Sequence, residues 1–117
     1  MELLEQAHAL VEHAWCQGAD ARDRDGRPVD PWAPEAACWS LLGAIVAVLE
    51  SEASRIGEIP LDQLAAALYA LSELIDTDSL VAWNDHPGRS QREVAEVLAC
   101  AAESYEAGLA VVHVSSN

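Results

Sequence analysis

Along most of this chain apolar residues recur every three or four positions, and short polar stretches break that rhythm. From Glu2 to Cys16, Leu3, Ala7, Leu10 and Ala14 share one stripe with Leu4, Val11 and Trp15 beside it, while Glu2, Glu5 and Glu12 stay outside. This period predicts an amphipathic helix, and Gly18 is placed to end it in a left-handed conformation. A second helix is expected from Pro31 and Pro34 to about Glu52. Its stretch from Cys38 to Leu49 is apolar nearly all round, which predicts the central, most buried helix, with Gly43 admitting a neighbouring helix.

A third helix is expected to begin near Pro60, with Leu61, Leu64, Ala65, Leu68, Leu71 and Ile75 turned inward. Asp76-Thr77-Asp78 would stop it, followed by a short turn from Ser79 to Trp83 and a loop, Asn84-Asp85-His86-Pro87-Gly88. Ser90 and Glu93 have the spacing of a capping box. A fourth helix follows, carrying Val94, Val97, Leu98, Ala101 and Tyr105 on one face and ending at Gly108.

Residues 19–30 predict a hairpin. Asp25-Gly26 supplies its tight turn, setting Arg24 opposite Arg27 and Arg22 opposite Val29. The Val-rich tail, residues 109–117, suits a third strand on that hairpin, packing on the bundle, or contact with a partner chain. The expected fold is all-α: an antiparallel four-helix bundle with a small β-hairpin between helices 1 and 2, in one domain over residues 1–117.

Composition narrows the function. Twenty acidic against six basic residues leave a formal net charge of −14, a surface that repels nucleic acid and anionic lipid. The apolar run from Leu41 to Leu49 is too short to span a bilayer, and Glu2 and Glu5 do not suit a secretory leader. The expectation is a cytoplasmic protein with no membrane and no direct nucleic-acid contact. All six bases are Arg and Phe is absent, which fits the codon usage of a GC-rich genome.

Three cysteines, Cys16, Cys38 and Cys100, form no CxxC pair and no disulfide framework. His8, His13, His86 and His113 lack metal-ligand spacing, and Asp23-Arg24-Asp25-Gly26 lacks the first and last oxygen donors of a calcium loop. No metal and no cofactor are expected. Cys16 follows His13 by one helical turn, but the C-terminal end of a helix opposes thiolate formation. Asp85, between Asn84 and His86, is the other residue suited to catalysis; hydrogen bonds to loop amides or a pair with Arg89 are its structural alternative.

In an up-down bundle the chain path brings Trp15, Trp32, Trp39 and Trp83 to one end, together with every arginine except Arg55. Trp15, Gln17, Arg22, Trp83, Asn84, Asp85 and Arg89 are therefore the candidate binding residues. Indoles beside guanidiniums suit a protein partner or a small anionic or aromatic ligand. The structural alternative is that Trp15 and Trp39 fill the core and that Arg22, Arg24 and Arg27 pair with neighbouring acids.

Trp15-Cys16-Gln17-Gly18, Asp25-Gly26 with Val29, Trp39-Ser40-Leu41, Gly43-Ala44, Trp83-Asn84-Asp85 and Arg89-Ser90 together resemble an uncharacterised family of small bacterial proteins. That family is a domain of unknown function, found in actinobacteria and relatives and sometimes in phage-like contexts. The resemblance spans roughly residues 3–105 and implies no catalytic residues. It does imply that the stretches gathered at one end form the family's signature.

The expected function is a non-enzymatic acidic helical domain that binds a partner or ligand at its Trp/Arg-rich end, with a homodimer as one form of partnership. Two alternatives stand beside it. One is an inhibitor, phage-related or a DNA mimic, that blocks a nucleic-acid-binding target; the other is an enzyme using Cys16 or Asp85.

Overall fold

A computed structural model describes residues 2–77 and 79–115, with side chains as far as Ser104. The described elements are α1 (Glu2–His13), β1 (Ala21–Arg22), β2 (Pro28–Val29), β3 (Cys38–Trp39), α2 (Leu41–Ile56), α3 (Leu61–Leu74), α4 (Leu80–Asp85) and α5 (Gln91–Ser115). The expected four-helix bundle with a hairpin is therefore corrected. Among the described residues there are five helices and a three-stranded antiparallel sheet in the order β2-β1-β3.

The third strand explains most of the difference. The second helix does not begin at Pro31 or Pro34, because proline disfavours helical backbone at the residue before it. Residues 31–37 form turns instead, closed by bonds from Ala33 N–H to the Asp30 carbonyl and from Ala36 N–H to the Ala33 carbonyl, both 3.0 Å. Cys38 and Trp39 then pair with Arg22 and Ala21. The helix starts only at Leu41, where the Ser40 hydroxyl accepts from Gly43 N–H at 3.0 Å.

The same strand shortens α1. Trp15 and Trp39 form a parallel bridge, with Cys16 N–H donating to the Trp39 carbonyl at 3.2 Å and Trp39 N–H to the Ala14 carbonyl at 3.1 Å. Backbone groups that would have prolonged the helix are taken by this bridge, so α1 ends at His13 rather than Cys16. Gly18 (φ +81°) lies in the turn beyond it.

The hairpin forms in a shifted register, Ala21 facing Val29 and Arg22 facing Pro28. Its loop has three residues, not two. Asp23 N–H bonds the Arg27 carbonyl at 2.9 Å, and Gly26 takes the left-handed conformation (φ +82°) that such a loop requires. Asp23 Oδ1 accepts from the backbone N–H groups of Asp25 and Arg27, both at 2.9 Å, which fixes the turn.

The core is formed mainly by Leu3, Leu4, Ala7 and Val11 of α1, Leu41, Ala44, Ile45, Val48 and Leu49 of α2, and Val94, Leu98 and Ala101 of α5. It is α1 that sits centrally, against α2, α3 and α5, although α2 buries more residues than α1, as expected. Gly43 admits loop backbone rather than a helix. A Cβ there would overlap the Asp20 carbonyl, which in turn accepts from Ser40 N–H at 3.0 Å.

Helix α3 keeps part of its expected stripe, with Leu71 and Ile75 buried and Leu64 packed against the core, but Leu61, Ala65 and Leu68 lie outside it. It buries Ala67, Ala70 and Leu71, whose small residues permit a close approach, and leaves Leu61 66% exposed and Tyr69 68% exposed. Leu68 is also exposed. Where a turn was expected from Ser79 to Trp83, α4 forms, with the Ser79 hydroxyl accepting from Ala82 N–H at 3.1 Å.

The capping box at α5 is present: Ser90 N–H donates to Glu93 Oε1 at 3.0 Å, and Glu93 N–H to the Ser90 hydroxyl at 3.1 Å. Helix α5 does not end at Gly108 but continues to Ser115, so the tail supplies no strand to the sheet. Asp78 and residues 116–117 lie outside the described residues, as does the side chain of Tyr105.

Candidate functional site

Three segments remote in sequence meet at Asn84, which is fully buried in α4. Its Oδ1 accepts from the Trp15 indole Nε1–H at 2.7 Å and from the backbone N–H of Leu41 at 3.0 Å. Its Nδ2 donates to the Cys16 carbonyl at 3.2 Å and to Asp85 Oδ1 at 3.0 Å. An asparagine amide has two donors and two acceptor sites, and here all four are used. One side chain near the end of α4 thus joins the segment just after α1 to the start of α2.

The neighbouring candidates complete this joint. Gln17 Nε2 donates to the carbonyls of Asn84 (2.9 Å) and His86 (3.1 Å), and Asp85 Oδ1 also accepts from Gly18 N–H at 2.9 Å. Arg22 donates from Nε and Nη2 to the Gln17 carbonyl at 3.2 and 3.1 Å, and from Nη1 to the Gly26 carbonyl at 2.8 Å. It ties the hairpin to the turn after α1.

Arg89 lies 3.9 Å over the Trp83 ring, donates from Nε to the Trp83 carbonyl at 2.9 Å, and bonds Glu93 through Nη1 at 3.1 Å. This is a stacked cation–π pair with a charged end. Glu93 is held below the usual carboxylate range, first by the Ser90 backbone N–H and then by Arg89.

The structure therefore brings Trp15, Gln17, Arg22, Asn84 and Asp85 into one network, with Trp83 and Arg89 packed beside it. The two guanidiniums donate mainly to backbone carbonyls within this end of the molecule. Beside Asp85 lies a hollow of about 280 Å³ that Gly18, Ser40 and Val81 also line.

A family model described as a family of unknown function (DUF6197) matches residues 1–104, which includes the whole joint. The chain belongs to that family. No curated protein and no solved structure matches it.

The Cys16 thiol is held toward its neutral form. Burial, and then the neighbouring Cys38 thiol, push it up to about 12, although Arg22 opposes the shift. A protonated thiol is a poor nucleophile at neutral pH. Among the described residues no group of three or more His, Cys, Asp or Glu is placed to hold a metal ion. None of the described helices is long and apolar enough to cross a membrane.

A feature that the sequence reading missed lies on the other side of Trp39. The Trp39 indole Nε1–H donates to the Pro31 carbonyl at 3.0 Å, which draws the Pro31–Ala37 turns into an arc over α1 and α2. A groove of about 820 Å³ opens beneath that arc, lined by Leu10, Pro31, Trp32, Pro34, Trp39 and Val48 among others. Trp32 is 53% exposed at its edge. The available signal was the Pro31-Trp32-Ala33-Pro34 run itself, which argues for an extended aromatic loop rather than a helix start.

Proposed function

We propose that this member of DUF6197 is a non-enzymatic, cytoplasmic bacterial domain that binds a partner protein at its tryptophan-rich end, through the groove between the Pro31–Ala37 arc and helices α1 and α2. The observation that carries this reading is the half-exposed Trp32 at the edge of an open groove whose walls mix apolar side chains with Gln6, Glu50, Ser51 and Ser54. An exposed indole beside a concave surface is the kind of anchor on which protein interfaces concentrate their binding energy.

Trp15, Gln17, Arg22, Trp83, Asn84, Asp85 and Arg89 act in this reading as the support that fixes the arc and hairpin. The engaged guanidiniums of Arg22 and Arg89 favour a protein partner over a small anion, which would have to displace their existing bonds. A site-specific photo-crosslinker replacing Trp32 is expected to yield a discrete protein adduct in cells, and one replacing Tyr69 on α3 is not. Identical adducts from both positions, or none from position 32, overturn the proposal.

A further inference from the structure

The groove does not end at Trp39. A second hollow of about 610 Å³ lies on the other side of this residue, and the two share Pro34, Ala36 and Trp39 as walls. The pair forms a track across the arc, open along its length and larger than an enclosed small-molecule site. Apolar surface and charge are distributed unevenly along it. The first hollow presents the Trp32 and Trp39 indoles with Glu50 as the charged residue among its walls. The second presents Asp23, Asp25 and Glu35, with Arg24 and His13 beside them.

From this distribution we infer that the partner, on the docking reading above, enters the track as an extended basic segment, its apolar or guanidinium faces on Trp32 and Trp39 and its cationic groups toward Glu50, Glu35, Asp23 and Asp25. Three features select that occupant. The carboxylates lining the two hollows outnumber the single arginine. A chain of net charge −14 steers cations toward itself and repels acidic partners. Arginine suits both halves of the track, because its guanidinium stacks on indole and forks onto carboxylate. A second copy of this acidic chain is correspondingly a poor occupant.

The test uses three fluorescein-labelled decapeptides in which leucine alternates with arginine, with serine or with glutamate, titrated into the full chain and followed by anisotropy and by the Trp32 indole N–H resonance. The arginine peptide is expected to bind and to shift that resonance. Trp32→Ala, and separately Glu35→Gln with Glu50→Gln, should each weaken it at least tenfold. The charge-matched control on α5, Glu96→Gln with Glu103→Gln, should change it less than twofold. All these residues are exposed, so the variants are expected to fold.

Equal weakening by the α5 control means attraction to net charge alone and overturns the inference. Tighter, Trp32-dependent binding of the serine or glutamate peptide overturns the basic occupant while leaving the docking groove standing. If no peptide moves the Trp32 resonance, both the occupant and the groove are refuted.

Discussion

The indole N–H of Trp15 meets the side-chain oxygen of Asn84 at 2.7 Å across 69 positions of sequence. The same oxygen holds the first backbone N–H of α2, so a single buried amide decides how α1, α2 and α4 lie relative to one another. The exposed groove is a consequence of that joint. Trp15 bridges Trp39, and Trp39 suspends the Pro31–Ala37 arc.

Asn84→Ala is expected to destabilise the fold by about 3 kcal/mol, since it strands the Trp15 and Leu41 N–H groups and each unsatisfied buried donor costs roughly 1–3 kcal/mol. Urea denaturation followed by circular dichroism measures it. A change below about 0.5 kcal/mol, the range of an ordinary surface substitution, contradicts the role given to this amide.

Gly43→Ala should cost about 1–3 kcal/mol, the usual range for overpacking, because the new methyl overlaps the Asp20 carbonyl. The effect falls on the contact between the hairpin and α2, so tryptophan fluorescence should change along with stability. A variant as stable as the parent would show that the Ala19–Asp20 turn can move aside.

The Cys16 thiol should resist labelling by a thiol-specific disulfide reagent near pH 8, while the exposed Cys100 reacts readily. A pKa raised in the folded state stabilises the fold below the unfolded value and is lost as pH rises. Stability should therefore decline from about pH 9 toward pH 12, and Cys16→Ser should flatten that decline. Equal labelling rates for Cys16 and Cys100 would contradict the assignment.

Leu61→Ser with Tyr69→Ser removes two apolar side chains that α3 leaves largely in solvent. The expected change in stability is within about 0.5 kcal/mol for each, with reduced retention on a hydrophobic column. Had Leu61 faced inward, its loss would cost several times more, and calorimetry distinguishes the two cases.

Helix periods, the Ser90–Glu93 box and the hairpin were legible in the sequence because each depends on neighbours within a few residues. The inward faces of α1 and α5 also followed from periodicity, through Leu3, Ala7, Val11, Val94 and Leu98. What periodicity could not show was the pairing of Cys38 and Trp39 with β1, a non-local choice that the two prolines only hint at.

For α3, Leu64, Leu71 and Ile75 were legible, but Leu61 and Leu68 were misplaced because leucines outweigh alanines on any hydropathy scale, whereas close packing selected Ala67 and Ala70. The candidate residues were found as a set. Their hydrogen bonds into the fold, and the position of Trp32 outside that network, required coordinates.

Gln91, the first residue of α5, donates from Nε2 to the Val11 and Glu12 carbonyls at 2.8 and 3.1 Å, so the last helix locks onto the end of the first. A nascent chain emerging from the ribosome cannot complete this closure until α5 has been made, although α2 is available earlier to cover part of the apolar face of α1. Closure of the core therefore waits on the last helix, whose docking covers the side of α1 that α2 and α3 leave open.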